Sequence, residues 1–269
     1  MLNGSNRYTL GIDLGASSVK LVALLCEQSS AESVEDRTLC CLYALHKGNV
    51  AQCLHNQLNI LHQVLLEKGN SFDNCVGVCL TGSAASIIAE HGVHIPTIGD
   101  IPALTRGAAL VAPQARVIAA IGGQSACYVV SRAEEADADN GDFWLSSAPD
   151  FAMNESCAAG TGSFFEDQMQ RLGLSIEDYS SLVAKATSVP RLSGRCAVFA
   201  KTDIIHRQQE GVAVEDILLG LCYALIKSYK SMVARGLPEG KPLVLAGGIV
   251  KNAGVIRAVK EVLIYRTMN

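Results

Sequence analysis

The sequence of 269 residues predicts an α/β fold built from two similar halves, each with the element order βββαβα. Two apolar runs, Tyr8 to Leu14 and Val19 to Leu25, are joined by a loop so short that only a tight turn can connect them. A second pair of strand-like runs, Arg116 to Ile121 and Ala126 to Ser131, repeats this arrangement around glycines. The repeated hairpin indicates a duplicated α/β domain with a cleft between its halves.

The other elements of the first half, residues 1–112, follow from apolar periodicity and helix-start signals. They are a strand over Leu39 to Leu45, an amphipathic helix over Val50 to Glu67, a strand over Cys75 to Leu80, and a helix from Asp100 to about Val111. Pro102 supports the last of these, because proline is tolerated in the first turn of a helix.

The second half, residues 113–269, is predicted to be mostly helical after its hairpin and an acidic loop from Glu134 to Asp142. The expected elements are helices over Gly162 to Arg171, Ile176 to Thr187, Ala197 to Gln209 and Val212 to Arg235, a strand over Leu243 to Ala246, and a helix from Asn252 to about Leu263. The acidic loop is interpreted as solvated.

Composition restricts the class of function. The net charge is −4, 49% of residues are hydrophobic, and the sequence shows no run of Lys and Arg. These properties argue against nucleic-acid and anionic-membrane partners. The sequence has no apolar stretch long enough to cross a bilayer, and its start is polar, so a cytoplasmic protein is expected.

Ten cysteines without a secretory signal are expected to stay reduced. Six of them lie in strand-like runs and are predicted to be small core residues: Cys26, Cys40, Cys41, Cys75, Cys79 and Cys127.

Cys157 and Cys196 differ, since each lies between a glycine-containing loop and a predicted helix, where the helix dipole favours the thiolate. Their separation of 39 positions fits no zinc ribbon, and an iron–sulfur cluster needs four such ligands. A symmetric dimer would supply four. On spacing alone, buried thiols in helix-capping loops are the alternative.

Three glycine-containing segments in this order favour phosphate or nucleotide contacts, although ordinary turn chemistry is the alternative for each of them alone. In the first, Asp13 ends a strand, small residues follow whose N–H groups can approach a phosphate, and Lys20 adds a cation. A solvated role for Lys20 is the alternative. The predicted contacts are Gly15, Ala16, Ser17, Ser18 and Lys20 in the first segment, Gly122, Gly123 and Gln124 in the second, and Gly247, Gly248 and Asn252, near adenosine, in the third.

With NESCAAGTG at 154–162 and CAVFAKTD at 196–203, the chain resembles the actin-like ATPase superfamily over nearly its whole length. Within it, the chain is similar to the activators of 2-hydroxyacyl-CoA dehydratases and the ATP-binding subunits of benzoyl-CoA reductase. This resemblance implies an actin-like, ribonuclease H-like fold that binds ATP or ADP with Mg²⁺ between its halves, with Asp13 and Asp100 in catalytic roles.

The resemblance also implies a homodimer with one bridging [4Fe-4S] cluster, whose ligands here would be Cys157 and Cys196 of each subunit. A ferredoxin or flavodoxin would supply a low-potential electron, and ATP would drive its transfer to a 2-hydroxyacyl-CoA dehydratase-like enzyme.

Several positions depart from the family pattern. Ala120 and Ser125 replace two carboxylates around the second glycine pair, which is expected to slow hydrolysis or to leave binding alone. If only the first carboxylate is missing, Ala120→Asp should restore turnover. Asp100 stands where the family has Glu, and an N-cap role is its alternative. The sequence also stops soon after the third segment, which indicates a truncated chain or one module of a longer fusion.

The sequence is compatible with three alternative functions. The first is an ATP-dependent electron-transfer activator. The second is a degenerate nucleotide-binding or scaffold module with little or no hydrolysis. The third, a small-molecule kinase, is the weakest, because no carboxylate base stands out and the two cysteine motifs would be unexplained.

Overall fold

The computed structural model describes residues 7–26, 33–132, 144, 148–154, 161–194, 197–238 and 240–264. The chain divides into two compact units, Met1–Val111 and Ala112–Asn269, called unit 1 and unit 2 below.

Unit 1 contains one four-stranded sheet. Its strands are β1 (Tyr8–Leu14), β2 (Ser18–Leu25), β3 (Thr38–Leu45) and β4 (Cys75–Thr81), in the order β3-β2-β1-β4. The first three strands are antiparallel neighbours, and β4 returns parallel to β1. The described helices are α1 (Val34–Arg37), α2 (Val50–Glu67), α3 (Ser86–Glu90) and α4 (Asp100–Val111).

Alternation of apolar and polar residues determines how β1 lies in unit 1. Tyr8, Leu10, Ile12 and Leu14 are buried on one face, and the residues between them lie on the other. Helix α2 adds Leu54, Leu61 and Leu65 to the same core. The opposite face of β1 therefore carries Asp13 away from the apolar core.

Unit 2 repeats the sheet. Its strands are β5 (Val117–Ile121), β6 (Ala126–Val130), β7 (Asp150–Met153) and β8 (Leu243–Ala246), in the order β7-β6-β5-β8, with β8 parallel to β5 and the other pairs antiparallel. The described helices are α5 (Gly162–Arg171), α6 (Tyr179–Val183), α7 (Ala197–Gln209), α8 (Val214–Met232) and α9 (Ala253–Val259).

The core of unit 2 is organised around β5 and α8. Every residue of β5 is buried, and α8 is buried continuously from Asp216 to Ile226. The Tyr229 hydroxyl donates to the Cys127 carbonyl at 2.9 Å and joins α8 to β6. A helix that is apolar on nearly all sides belongs inside a core.

The identical strand order of the two sheets confirms the predicted duplicated α/β fold. One expectation was wrong in detail, since the helix predicted over Ile176 to Thr187 is a 3₁₀ turn followed by the short α6. The third strand that the repeated element order implies for unit 2 had no residues assigned to it. It is β7, in which Phe151 and Met153 are both exposed and give no core-facing alternation.

The predicted burial of the strand cysteines holds only in part. Cys40 and Cys127 are buried, but Cys41 is exposed, because neighbouring residues of a strand face opposite sides of the sheet. Within the described ranges, no helix is long and apolar enough to cross a membrane.

Candidate functional site

The turn between β1 and β2 is Gly15–Ser18, closed by the Gly15 N–H donating to the Ser18 carbonyl at 3.0 Å. A Cβ atom at Gly15 would lie 3.3 Å from that carbonyl oxygen and 3.5 Å from polar atoms of both Asp13 and Lys20. The turn is therefore tight, and the smallest residue occupies its most crowded position.

Asp13 and Lys20 are register partners at the end of this hairpin. The Lys20 ammonium lies 2.7 Å from Asp13 Oδ2, and the two side chains are 31% and 34% exposed. Lys20 is therefore bound by Asp13 rather than freely solvated, and a phosphate contact for it stays a prediction. Both groups are accessible to a ligand.

Thr81 connects the two carboxylates for which catalytic roles are expected. It is the register partner of Asp13 in the parallel pair of β1 and β4, and its hydroxyl donates to Asp100 Oδ1 at 3.3 Å. The first bond of α4 runs from the Ala103 N–H to the Gly99 carbonyl, so Gly99 rather than Asp100 is the N-cap residue. The Asp100 carboxylate is thus directed to Thr81, at the carboxyl end of β4.

Gly82, directly after β4, was not singled out from the sequence as a functional residue. Its φ is +96°, and a Cβ atom there would lie 2.4 Å from the Leu14 carbonyl oxygen and 2.6 Å from Asp13 Oδ1. Only glycine combines this left-handed backbone with so close an approach. Gly82 therefore allows β4 to end directly beside Asp13.

The second hairpin turn, Gly122–Ser125, is closed by the Gly122 N–H donating to the Ser125 carbonyl at 2.7 Å. The start of α5 lies against this turn: the Gly162 N–H donates to the Gly122 carbonyl at 2.7 Å, and the Ser163 N–H to the Gly123 carbonyl at 2.6 Å. The first two N–H groups of α5, which a helix leaves unpaired, are satisfied in this way.

Asn154, which follows β7, holds the other side of the turn. Its Nδ2 donates to the Gln124 carbonyl at 3.1 Å, and its Oδ1 accepts from the Ala126 N–H at 2.7 Å. Three consecutive carbonyls of the turn are thus hydrogen-bonded, two to the start of α5 and one to Asn154. Because a trans peptide is planar, with C=O and N–H opposed, the N–H group that follows each of these carbonyls points away from that carbonyl's partner and is a candidate for anion contact.

Gly247 is the counterpart of Gly82 in unit 2. Its φ is +97°, and a Cβ atom there would lie 2.1 Å from the Ile121 carbonyl oxygen. Asn252, predicted to contact adenosine, uses its side-chain oxygen to cap α9 by accepting from the Gly254 N–H at 2.9 Å and the Val255 N–H at 3.2 Å. An Asn just before a helix is the signal that could have predicted this cap.

The charged pair of the first hairpin has a neutral counterpart in the second. The register partners at the equivalent positions of β5 and β6 are Ala120 and Cys127, which are 8% and 4% exposed. The second hairpin therefore lacks both the carboxylate and the cation that Asp13 and Lys20 supply in the first.

The predicted cluster ligands, Cys157 and Cys196, lie outside the described residues. The helices expected to follow them are present: α5 begins at Gly162, and α7 begins at Ala197. Among the side chains that the structure does describe, no group of three or more His, Cys, Asp or Glu residues could hold a metal ion.

Cys222 is a structural residue rather than a candidate ligand, although its Sγ lies 3.8 Å from Asn252 Oδ1. Burial raises the pKa of Cys222 to about 12. The thiol is therefore protonated at neutral pH, and it packs in the core of unit 2.

The two four-stranded sheets of identical order, each opening with a glycine-turned hairpin and closing with a parallel strand that ends in a left-handed glycine, define an actin-like ATPase fold. The chain belongs to the BadF/BadG/BcrA/BcrD ATPase family, whose profile matches residues 10–269.

Three relatives of known role match most of the chain. The activator of lactoyl-CoA dehydratase from Anaerotignum propionicum is 29% identical, covering 95% of this chain and 88% of its own. The 2-hydroxyisocaproyl-CoA dehydratase activator from Clostridioides difficile is 25% identical, with coverages of 94% and 85%. The (R)-2-hydroxyglutaryl-CoA dehydratase activating ATPase from Acidaminococcus fermentans is 25% identical, with coverages of 94% and 87%.

Two solved structures share the fold. Component A of (R)-2-hydroxyglutaryl-CoA dehydratase from Acidaminococcus fermentans matches with a TM-score of 0.75 and 24% identity, over 95% of this chain and 88% of its own. The 2-hydroxyisocaproyl-CoA dehydratase activator from Clostridium difficile with bound ADPNP matches with a TM-score of 0.72 and 24% identity, over 94% and 85%.

Proposed function

We propose that this protein binds ATP with Mg²⁺ and acts as an ATP-dependent activator of a 2-hydroxyacyl-CoA dehydratase-type partner. The observation that carries the proposal is the group formed by Asp13, Lys20, Thr81 and Asp100 at the carboxyl ends of β1 and β4. Two carboxylates, a cation and a hydroxyl lie there beside a glycine turn.

The residues of the site fit a metal-bound nucleotide. Mg²⁺ is commonly held by one or two protein carboxylates together with substrate phosphates, so Asp13 and Asp100 would supply its protein ligands, directly or through water. Lys20 would offset phosphate charge. Unit 2 carries a turn of the same kind at 122–125, whose carbonyls are bound by the start of α5 and by Asn154, which leaves backbone N–H groups as candidate anion contacts.

The electron-transfer part of the proposal rests on the relatives and on the two cysteines. Relatives that match most of this chain are activators of 2-hydroxyacyl-CoA dehydratases. Cys157 and Cys196 of each subunit of a homodimer would be the ligands. Cys157 lies a few residues before the start of α5 at Gly162, and Cys196 immediately precedes α7, which begins at Ala197. A [4Fe-4S] cluster bound there would supply a one-electron carrier, with a ferredoxin or flavodoxin as donor.

One observation favours a second candidate. Ala120 and Cys127 make the hairpin of unit 2 neutral at the two positions where unit 1 carries an ion pair. A nucleotide-binding or scaffold module with little or no hydrolysis would need the shape of the turns but not these charges.

ATP hydrolysis separates the two candidates. An active protein should lose about 10²-fold or more of its rate in Asp13→Asn and Asp100→Asn, since each change removes a charge from the metal and water site. Asp36→Asn is the matched control, because Asp36 is an exposed carboxylate of unit 1 that bonds to Ser33. Tight ATP binding without hydrolysis in the unchanged protein would favour the scaffold module.

Iron and sulfide analysis after anaerobic purification tests the cluster. About two irons per chain in a dimer would support a shared four-iron cluster, and Cys157→Ser should then remove the iron while leaving ADP binding intact. A monomer without iron after reconstitution would contradict the electron-transfer role.

A further inference from the structure

We propose that His46 is a positioning residue for the phosphate turn of unit 1. It holds the Gly15–Ala16 peptide so that the Ala16 N–H is presented to a nucleotide phosphate. The proposal rests on the nucleotide binding proposed above and assigns a role to a residue just beyond β3.

His46 binds two carbonyls of the turn. Its backbone N–H donates to the Ser17 carbonyl at 3.1 Å, and its ring Nε2 lies 3.2 Å from the Gly15 carbonyl oxygen. Because C=O and N–H of one trans peptide point in opposite directions, fixing the Gly15 carbonyl towards His46 directs the Ala16 N–H away from it. The Ala16 N–H is thereby left for an anion that approaches the turn from the side away from His46.

The ring of His46 is itself held in place. Its Nδ1 accepts from the Gly48 N–H at 3.1 Å, which assigns the ring proton to Nε2 and makes Nε2 the donor to Gly15. Lys47 and Gly48 have φ values of +47° and +87°, and these two left-handed residues turn the chain back towards the ring. The ring orientation is therefore fixed by the connection between β3 and α2.

The start of α2 completes this connection. The Asn49 N–H donates to the His46 carbonyl at 2.8 Å, and the Asn49 side chain caps α2 by accepting from the Gln52 N–H at 3.0 Å. An 18-residue helix thus anchors the residue that holds the turn. His46 is only partly buried and is not a member of the apolar core, so its polar contacts dominate its role.

Unit 2 supports this interpretation independently. Asn154 directly follows β7, as His46 directly follows β3, and its side chain donates to the Gln124 carbonyl of the second turn. In both units, a polar side chain just beyond the third strand binds a carbonyl of the hairpin turn. Two different residue types do this, so the shared feature is the hydrogen bond rather than the side chain.

The test compares the binding of Mg-ADP and of adenosine, measured by calorimetry. His46→Asn can still accept from the Gly48 N–H, but it is too short to reach Gly15. Loss of one positioning hydrogen bond is expected to weaken ADP binding about fivefold to tenfold. Adenosine, which has no phosphate, should bind with unchanged affinity, and His46→Gln, whose longer amide can donate to Gly15, should recover part of the loss.

His55→Asn is the control, because His55 is exposed on α2 and, among the described residues, its ring bonds only to Asn59 of the same helix, at 3.1 Å. His46→Phe keeps a ring without either nitrogen, and it provides the same comparison if His46→Asn does not fold.

Three results would overturn the role of His46: unchanged ADP affinity in a folded variant that lacks the hydrogen bond, an equal loss of ADP and adenosine affinity, or an equal effect of His55→Asn. Failure of the unchanged protein to bind ADP would overturn the proposed function itself, and the role of His46 with it. Normal ADP binding by both the unchanged protein and His46→Asn would overturn only the role of His46.

Discussion

The hairpin turns of the two units share the same closing backbone hydrogen bond but differ in the charge of the residues beside them. Each is closed by a glycine N–H that donates to the carbonyl of a serine three residues later. Beside the first turn lies the ion pair of Asp13 and Lys20, whereas the second has the neutral Ala120 and Cys127 in the same register. The shape needed for a phosphate is thus present twice, but the charges needed for metal and water chemistry are present only in unit 1.

The same contrast extends to the glycines that end the parallel strands. Gly82 and Gly247 have nearly equal φ values, +96° and +97°, and each lies against the backbone at the end of the central strand of its sheet. The backbone conformation at the ends of the parallel strands is therefore nearly the same in both units, because a glycine occupies the equivalent position in each. The side-chain charges differ between the units at one pair of register partners, which is Asp13 and Lys20 in unit 1 and the neutral Ala120 and Cys127 in unit 2.

The largest effect is expected from substituting the two left-handed glycines that end the parallel strands, Gly82 and Gly247. Gly247→Ala places a Cβ atom 2.1 Å from the Ile121 carbonyl oxygen, and Gly82→Ala places one 2.4 Å from the Leu14 carbonyl oxygen. Both also force alanine into a left-handed conformation, which costs about 1–2 kcal/mol by itself. Each variant should lose about 3 kcal/mol or more of unfolding free energy, or fail to fold, in denaturant titrations followed by circular dichroism.

Gly211→Ala separates the two causes. Gly211 has φ +77° but no atom within 4 Å of its ideal Cβ position, so only the conformational cost of about 1–2 kcal/mol should remain. An equally large loss in Gly211→Ala would show that backbone strain, and not contact with the central strand, explains the other two variants.

The next effect tests the difference in charge. Ala120→Asp alone would place a carboxylate at a site that is 8% exposed, beside the neutral Cys127, and is expected to destabilise unit 2 by about 2–3 kcal/mol. Adding Cys127→Lys supplies the cation that Lys20 provides in unit 1. The double variant should recover most of that stability and should hydrolyse ATP about tenfold faster than the unchanged protein.

From the sequence, Ala120→Asp should restore turnover if only that carboxylate is missing, and the strand register shows that the cation of the pair is missing as well. Rates and unfolding free energies of the two single variants and the double variant form a double-mutant cycle. Additive effects of the two changes would mean that positions 120 and 127 do not act as a pair.

A third prediction concerns a carboxylate of unit 2 whose role is structural. Asp216 is buried and accepts from the Thr187 N–H at 2.6 Å, from the Ser188 N–H at 2.9 Å and from the Ser188 hydroxyl at 2.8 Å. These bonds, those from Ser188 first, lower the pKa of Asp216 despite its desolvation. Asp216→Asn should cost about 1–3 kcal/mol of unfolding free energy at pH 7.

The pH dependence has a definite sign. Since the folded-state pKa of Asp216 is below its unfolded value of about 3.9, the folded state binds fewer protons between the two values, and stability rises with pH there. The contribution is complete above the unfolded pKa and is lost as pH falls through the folded pKa. Urea titrations should therefore show the gap between Asp216→Asn and the unchanged protein closing below about pH 4; a gap independent of pH would contradict the assignment.

The smallest effect is expected at Thr81. Thr81→Val keeps the shape of the side chain but removes the hydroxyl that donates to Asp100 at 3.3 Å. Because Asp100 keeps its charge, the ATPase rate should fall only about threefold to tenfold, much less than in Asp13→Asn. Thr81→Ser, which retains the hydroxyl, should stay close to the unchanged rate, and a loss as large as that of Thr81→Val would assign the effect to packing.

The sequence by itself determined the features that depend on local signals. Apolar alternation set β1 and its hairpin, a 3.6-residue periodicity set α2, and the helix starts at Asp100, Gly162 and Ala197 follow from nearby glycine, proline and loop residues. The glycine turns and Asp13 could also be predicted from the sequence, because each of these features depends on only a few consecutive residues.

Only the tertiary structure decided which residues meet across the sheets. The pairing of Ala120 with Cys127, the closeness of Thr81 to Asp100, and the bonds of His46 and Asn154 to their turns each join positions separated along the chain. Strand register sets these contacts, and register depends on the packing of a whole face rather than on any short segment. Strand β7 shows the same limit, because it is held by pairing with β6 and carries no core-facing pattern of its own.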